Sequence, residues 1–286
     1  MSEAKAAELA AKCHRALDPL HSLIYFAPEA DEKLSEIGLR PGRMTYFASR
    51  SAPMGPVGAA MVTATFYNFN PDLVARHIPR AWGLASPEAI LATRLEVADA
   101  ALRRLLGDAV DSPEVAEAAE LAREAALACT PQGRPLYAAH AELDWPEEPN
   151  LVLWHAITLL REYRGDAHIA ALTLHGLDGL SALISHCATG RGFTEAAAKA
   201  TRGWSDEQWS AGVERLRDRG VLDGDGALTE DGVALRERIE AATDAASTAP
   251  YDHLGEEKCV RLREIGKTLS RQAVAAGAFP ADIFGK

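Results

Sequence analysis

The chain is poor in aromatic residues, in patterned cysteines, in long apolar runs and in positive charge, and each shortage excludes something. Aromatics make up only 6% of the 286 residues, so the places where they cluster carry information. The four cysteines (Cys13, Cys129, Cys187, Cys259) lie far apart, with no CxxC or CxxH spacing. That removes a zinc ribbon or a thioredoxin-type site and leaves reduced, structural thiols as the expectation. No stretch approaches 18 uninterrupted apolar residues, and the opening MSEAKAAELAAKCHRALDPL reads as an amphipathic helix, unlike a signal peptide. A cytoplasmic protein with no membrane partner is expected. Thirty Lys and Arg face forty-one Asp and Glu, a net charge of −11 that repels phosphate backbones unless a local patch overcomes it.

What is present is ordinary for a globular fold. Hydrophobic residues at 48% and charged residues at 25% exclude collagen-like, disordered and disulfide-scaffold classes. A chain of this length holds one large or two ordinary domains and buries roughly three quarters of its unfolded surface.

Two halves share an order of short strings. Leu20-His21-Ser22-Leu23-Ile24 lies against Trp154-His155-Ala156-Ile157-Thr158, each followed by a Gly-Leu step at 38–39 and 176–177. SRSAPMG (49–55) lies against SHCATG (185–190), and ATFYNFNPDLV (64–74) against ATRGWSDEQWS (200–210). The Leu-rich helix 87–106 then matches 229–243, and 121–124 matches 262–264, at an offset of about 134 to 142 residues. The pattern predicts a diverged duplication with repeats at 1–145 and 146–286; two unrelated helical halves are the alternative.

Within the second half, Asp166 and Gly176 are expected to cap a helix over 164–176. Ser205 with Gln208 forms a capping-box variant opening a helix that Gly220 stops. Val221 to Thr229 puts apolar stubs around Asp-Gly turn chemistry before a long amphipathic helix from Glu230. Helix, glycine, two-stranded wing, helix is winged-helix order. Four prolines within 130–150 predict an extended connection between the halves.

The phrase VERLRDRGVLDGDGALTEDGVALRERIE resembles the MarR-type winged helix. Over nearly its whole length the chain also resembles the actinobacterial helix-turn-helix proteins labelled SalK-like, through YFASRSAPMG (46–55), ATFYNFNP (64–71), LWHAITLLREYRGDAHIAAL (153–172) and TRGWSDEQW (201–209). The resemblance implies a mainly α fold of two tandem winged-helix-like repeats forming a pseudo-dimer. It implies a lineage, with no activity attached.

DNA reading by a winged helix needs Arg, Lys, Asn or Gln at the leading end of its second helix. Here that end reads Asp206-Glu207-Gln208-Trp209, so DNA is an unfavoured partner, although Arg191, Arg202, Arg215, Arg217 and Arg219 offer a modest patch. Histidines are more suggestive. His21 and His155 occupy matching places, and Arg161, Tyr163, Arg164 and His168 follow His155; the plainer assignment for each imidazole is a satisfied core or surface group. The aromatic run Tyr46-Phe47 and Phe66-Tyr67-Asn68-Phe69, near Arg50, walls a pocket for a flat organic molecule or a tetrapyrrole, with Arg50 pairing a carboxylate, or else packs as core.

The resulting expectation is a cleft binding a small anionic or aromatic molecule, lined by His21, Tyr46, Phe47, Arg50, Phe66, Tyr67, Asn68, Arg161, Arg164 and His186. An enzyme using His155 or His168 as base is the rival, and a DNA-binding regulator the third reading. No HExxH, P-loop or GxSxG string occurs, so no metal ligand is assigned and the cofactor is open, as is monomer against homodimer.

Overall fold

The computed structural model describes residues 2–281, 283 and 284; Met1, Asp282, Gly285 and Lys286 lie outside the described residues. The chain is mainly α-helical. Its helices are α1 (Glu3–Ser22), α2 (Pro28–Glu36), α3 (Arg43–Ser51), α4 (Ala59–Phe66), α5 (Pro71–His77), α6 (Pro87–Leu106), α7 (Pro113–Ala126), α8 (Pro135–Ala141), α9 (Pro149–Leu174), α10 (Gly179–Cys187), α11 (Glu195–Arg202), α12 (Asp206–Asp218), α13 (Glu230–Ala245), α14 (Ala249–Leu254) and α15 (Glu256–Ala275).

Helix starts follow from local chemistry. Ser86 and Ser112 each accept a hydrogen bond from the third helical N–H while proline occupies the first helical position of α6 and α7, where its missing N–H costs nothing. Ser205 and Gln208 form the complete capping box of α12. Thr229 caps α13 directly after a short wing, in which Leu222 and Leu228 form an isolated antiparallel bridge around Asp223–Gly226.

Two sequence expectations fail locally, and one physical reason explains both. Helix α9 runs unbroken through 164–166, so Asp166 is not its N-cap. The Asp166 carboxylate instead accepts the backbone N–H groups of Leu136 at 3.0 Å and Tyr137 at 2.9 Å, capping α8 from a distance. That contact makes a helix of 135–141, inside the segment expected to be extended, and Pro135 serves as its first residue.

Three apolar clusters organise the helices. The central one draws on α1, α6, α7, α9, α14 and α15, with Leu17, Leu105, Ala122, Ile157 and Leu262 fully buried, so both halves share one core. A second cluster lies under α2 to α5 around Phe47 and Phe69, and a third under α10 to α13 around Leu183, Trp209 and Ile239. In the centre α1 packs along α15 while α7 packs along α9; α1 also touches α9, and α7 touches α15. No single helix among the described residues is long and apolar enough to cross a membrane.

Each outer cluster carries a helix-turn-helix step, α4 to α5 and α11 to α12. Both turns open on a residue of positive φ, Tyr67 (φ 55°, ψ −57°) and Gly203 (φ 75°, ψ 27°). Glycine takes a positive φ without cost, whereas Tyr67 needs its surroundings to hold it there. Its hydroxyl donates to the Leu177 carbonyl at 2.5 Å, and its own carbonyl lies against Gly179, where a Cβ would stand 1.9 Å away.

Candidate functional site

Between the two outer clusters opens a cleft of about 460 Å³. The helix-turn-helix turns form one of its walls and are fastened to each other. Asn70 N–H donates to the Arg202 carbonyl at 2.9 Å, Asn70 Nδ2 donates to the Gly203 carbonyl at 2.9 Å and to Gln208 Oε1 at 3.0 Å, and Trp204 Nε1 donates to the Asn68 carbonyl at 2.9 Å.

In a chain of net charge −11, this cleft gathers six arginines, Arg50, Arg161, Arg164, Arg191, Arg202 and Arg236, against three lining carboxylates, Asp18, Glu162 and Asp166. Most of the cations are engaged. Arg50 grips Glu162 in bidentate fashion, Nε to Oε1 at 3.2 Å and Nη2 to Oε2 at 3.0 Å, with its guanidinium 4.4 Å from the Phe66 ring centre. Arg161 Nη1 donates to the same Glu162 Oε1 at 2.8 Å. Burial alone would raise the Glu162 carboxyl, but Arg161 and Arg50 hold it well below the usual carboxylate range. Arg164 pairs with Glu240 and Asp244, and Arg236 with Glu240, yet the Nε atoms of both arginines are buried without a partner.

Arg191 is exposed and forms no ion pair among the described residues, and Arg202 is the more enclosed of the two. It forms no ion pair among the described residues, donates through Nε to Asn68 Oδ1 at 3.2 Å, and lies between the Phe69 and Phe193 rings at 4.5 and 4.8 Å. Burial pushes it down to about 10, so it remains a cation at neutral pH. The Phe193 ring also stacks on Phe284, 5.1 Å between centres, and Thr194 N–H donates to the Ile283 carbonyl at 3.0 Å. The C-terminal tail thereby becomes part of the cleft wall.

Three histidines, His14, His168 and His186, line the same space. Thr243 Oγ1 donates to the Ile239 carbonyl, so His168 Nδ1 donates to Thr243 Oγ1 at 2.9 Å and its Nε2 is the basic nitrogen. Burial pushes His168 down to about 4, leaving the ring neutral. His186 packs its ring beneath Gly192, whose added Cβ would meet the ring atoms at 2.4 Å.

Of the residues expected from the sequence, Tyr46, Arg50, Phe66, Tyr67, Asn68, Arg161, Arg164, His168 and His186 all line this cleft. Three do not. His21 is fully buried, bonded to Thr158 at 3.0 Å and Tyr25 at 3.1 Å and stacked on Trp154, so it is a core imidazole. Phe47 is core as well. His155 lies elsewhere, edge-on to Trp145 at 4.7 Å between ring centres, and cannot act as a base in this cleft. Sequence reasoning in turn missed Glu162, Arg236, Phe193 and the cleft role of Arg202. A continuous α9 would have placed 161, 165, 168, 169 and 172 on one stripe, and assuming a break at 164 hid it.

With this geometry in place, family comparison gives the class. A family profile described as the helix-turn-helix family matches residues 10–280, and the chain belongs to that family. Neither the curated proteins nor the solved structures contain a match to it.

Proposed function

We propose that this helix-turn-helix protein binds a small molecule with an anionic group and a flat apolar part in the cleft between its halves, as a sensor or sequestering protein of the cytoplasm. The observation that carries this reading is Arg202, a cation without a counter-ion between two aromatic rings in a cleft rich in arginine. An anion would meet the charge, and the rings would cover a planar body.

The halves derive from a duplicated MarR-like unit, a covalent counterpart of a homodimer. Supporting this, α1 on α15 and α9 on α7 are reciprocal pairs, as a pseudo-twofold arrangement requires.

DNA reading has lapsed in this member. The leading end of α12, which in such folds meets base edges, presents exposed Asp206 and Glu207, and its Gln208 is bonded to Asn70 of the other half. The arginines farther along are held by their own neighbourhood: Arg215 faces Asp178, Arg217 pairs with Glu214, and Arg219 donates to the carbonyls of His175 and Gly176. Family membership favours the opposite reading, a DNA-binding regulator, and salt decides between them. Duplex binding that weakens steeply from 50 to 200 mM salt, about 10³-fold or more for six phosphate contacts, would restore the regulator.

The direct test is native mass spectrometry and an absorption spectrum of freshly purified protein, followed by calorimetric titration with benzoate and with benzamide. Binding of the acid over the amide, weakened at least tenfold by Arg202→Gln with the melting temperature kept, is expected. No retained molecule and equal responses to acid and amide would remove the reading. Turnover abolished by His168→Gln would convert the binding site into an enzyme's, with Nε2 of His168 as base.

A further inference from the structure

Arg94 and His155 meet in a part of the molecule that the cleft does not use. Arg94, on α6, is 3% exposed and His155, on α9, is 4% exposed. Both line a separate cavity of about 180 Å³, walled by Leu91, Leu95, Leu143 and Trp154, with exposed Asp144 at its edge. Arg94 Nη1 donates to His140 Nε2 at 3.0 Å, and the guanidinium stands 4.8 Å from the Trp154 ring centre. Its Nε and Nη2 have no partner, and neither has His155 Nε2. No carboxylate lies within ion-pair distance of Arg94 among the described residues; the Tyr25 hydroxyl is close enough to act on the guanidinium, and Glu162, whose charge also reaches it, is already engaged by Arg50 and Arg161. An unpaired buried guanidinium is costly enough that a folded protein rarely keeps one without a counter-ion.

We propose that this cavity binds the carboxylate of a short aliphatic acid, Arg94 supplying the charge and His155 a hydrogen bond. Nε and Nη2 form the side of a guanidinium that meets a carboxylate with two parallel bonds, and neither has a partner in good hydrogen-bond geometry. Burial and then the Arg94 charge push His155 down to about 4, so it stays neutral and donates from Nε2 without adding a second cation. The leucines and Trp154 take the alkyl part. The space is a little above the roughly 150 Å³ of a cavity that takes benzene, so a short acid fits it. Asp144 at the edge disfavours a second negative charge, so the ligand is a monoanion rather than a phosphate or a dicarboxylic acid.

The site stands independently of the cleft, and its test is built to keep the two apart. Melting temperature and calorimetric binding are followed with propionate and with propionamide at pH 7. Propionate is expected to bind and to raise the melting temperature, and the amide to do neither. Leu143→Trp, which fills this cavity while leaving both polar groups in place, should weaken propionate at least tenfold, as should His155→Phe; Arg202→Gln, in the cleft, should leave it unchanged. Arg94 also borders a hollow of about 230 Å³ beside Tyr25 and Tyr46. Propionate binding that survives Leu143→Trp would place the acid there or in the cleft and overturn the proposal. Equal responses to acid and amide, or no propionate binding at all, would overturn it too.

Discussion

Asn70 and Gln208, each in the first turn or cap of the second helix of its own helix-turn-helix step, are bonded to each other at 3.0 Å. The two steps therefore meet leading end to leading end. Asn70 is also the N-cap of α5, accepting from Asp72 N–H at 2.9 Å, so one side chain serves both a helix start and the junction between halves.

That double role separates by substitution. Asn70→Ala loses cap and junction and should cost about 2 kcal/mol in chemical denaturation, whereas Asn70→Asp keeps the cap acceptor and should still cost about 1 kcal/mol. Full stability of Asn70→Asp would mean that the bonds to Gly203 and Gln208 contribute nothing.

Gly179 allows α10 to start against the backbone of Tyr67. A Cβ there would sit 1.9 Å from the Tyr67 oxygen and 2.9 Å from its carbonyl carbon, atoms that no rotamer change can move. Gly179→Ala should therefore destabilise by about 3 kcal/mol or more. Gly224→Ala, in open space, should stay within about 0.5 kcal/mol. Comparable melting temperatures for the two variants would show that the contact relaxes freely.

Glu162 is the one buried carboxylate that Arg50 and Arg161 share. Glu162→Gln leaves Arg50 without a counter-ion and Arg161 with only Asp18, 3.8 Å away, and should cost about 3–5 kcal/mol. Because the deficit is one of negative charge, sulfate should recover part of it, more than it stabilises the unmodified protein. Equal sulfate effects on both proteins would contradict the assignment.

His140 ties stability to pH. Arg94 donates to its Nε2, and its Nδ1 donates to the Leu136 carbonyl at 2.8 Å, so the ring has no room for a second proton. Burial, and then the Arg94 charge, push it down to about 3, against an ordinary 6.5. Between those values the unfolded chain takes up the proton and the folded one does not; the stabilisation is complete above about pH 6.5 and is lost as pH falls towards 3. Asp166, pushed up to about 6 chiefly by burial, acts in the opposite sense, gaining stability as pH falls from about 6 to 4. Denaturation curves at pH 7.5 and 5.0 should show the His140→Gln variant losing about 2 kcal/mol less than the unmodified protein across that interval. An identical loss in both would exclude His140 as a contributor.

The sequence carried local signals well and tertiary ones poorly. Ser205 with Gln208, the Asp-Gly wing and the helix at 87–106 are set by neighbours within a few residues, and each stands where its chemistry puts it. The mainly α architecture followed from them. Asp166 shows the limit: a good capping residue by composition, it caps a helix thirty positions upstream, because its place on α9 brings it to Leu136. The aromatics of the cleft were legible as a type, since a chain with only 6% of them has them in few places, whereas its arginines, 23 in number, are spread along the sequence. His21 and His155 were not separable from the cleft histidines by any spacing rule, because burial among Thr158, Tyr25 and Trp154, or against Trp145, is decided by distant segments.

The stacking of Phe284 on Phe193 has a practical side. Because the tail and the loop after α10 share an aromatic contact at the rim of the cleft, a purification tag joined past Phe284 competes for that rim. Ligand affinities compared between N-terminally and C-terminally tagged preparations are thus a reporter of the tail itself.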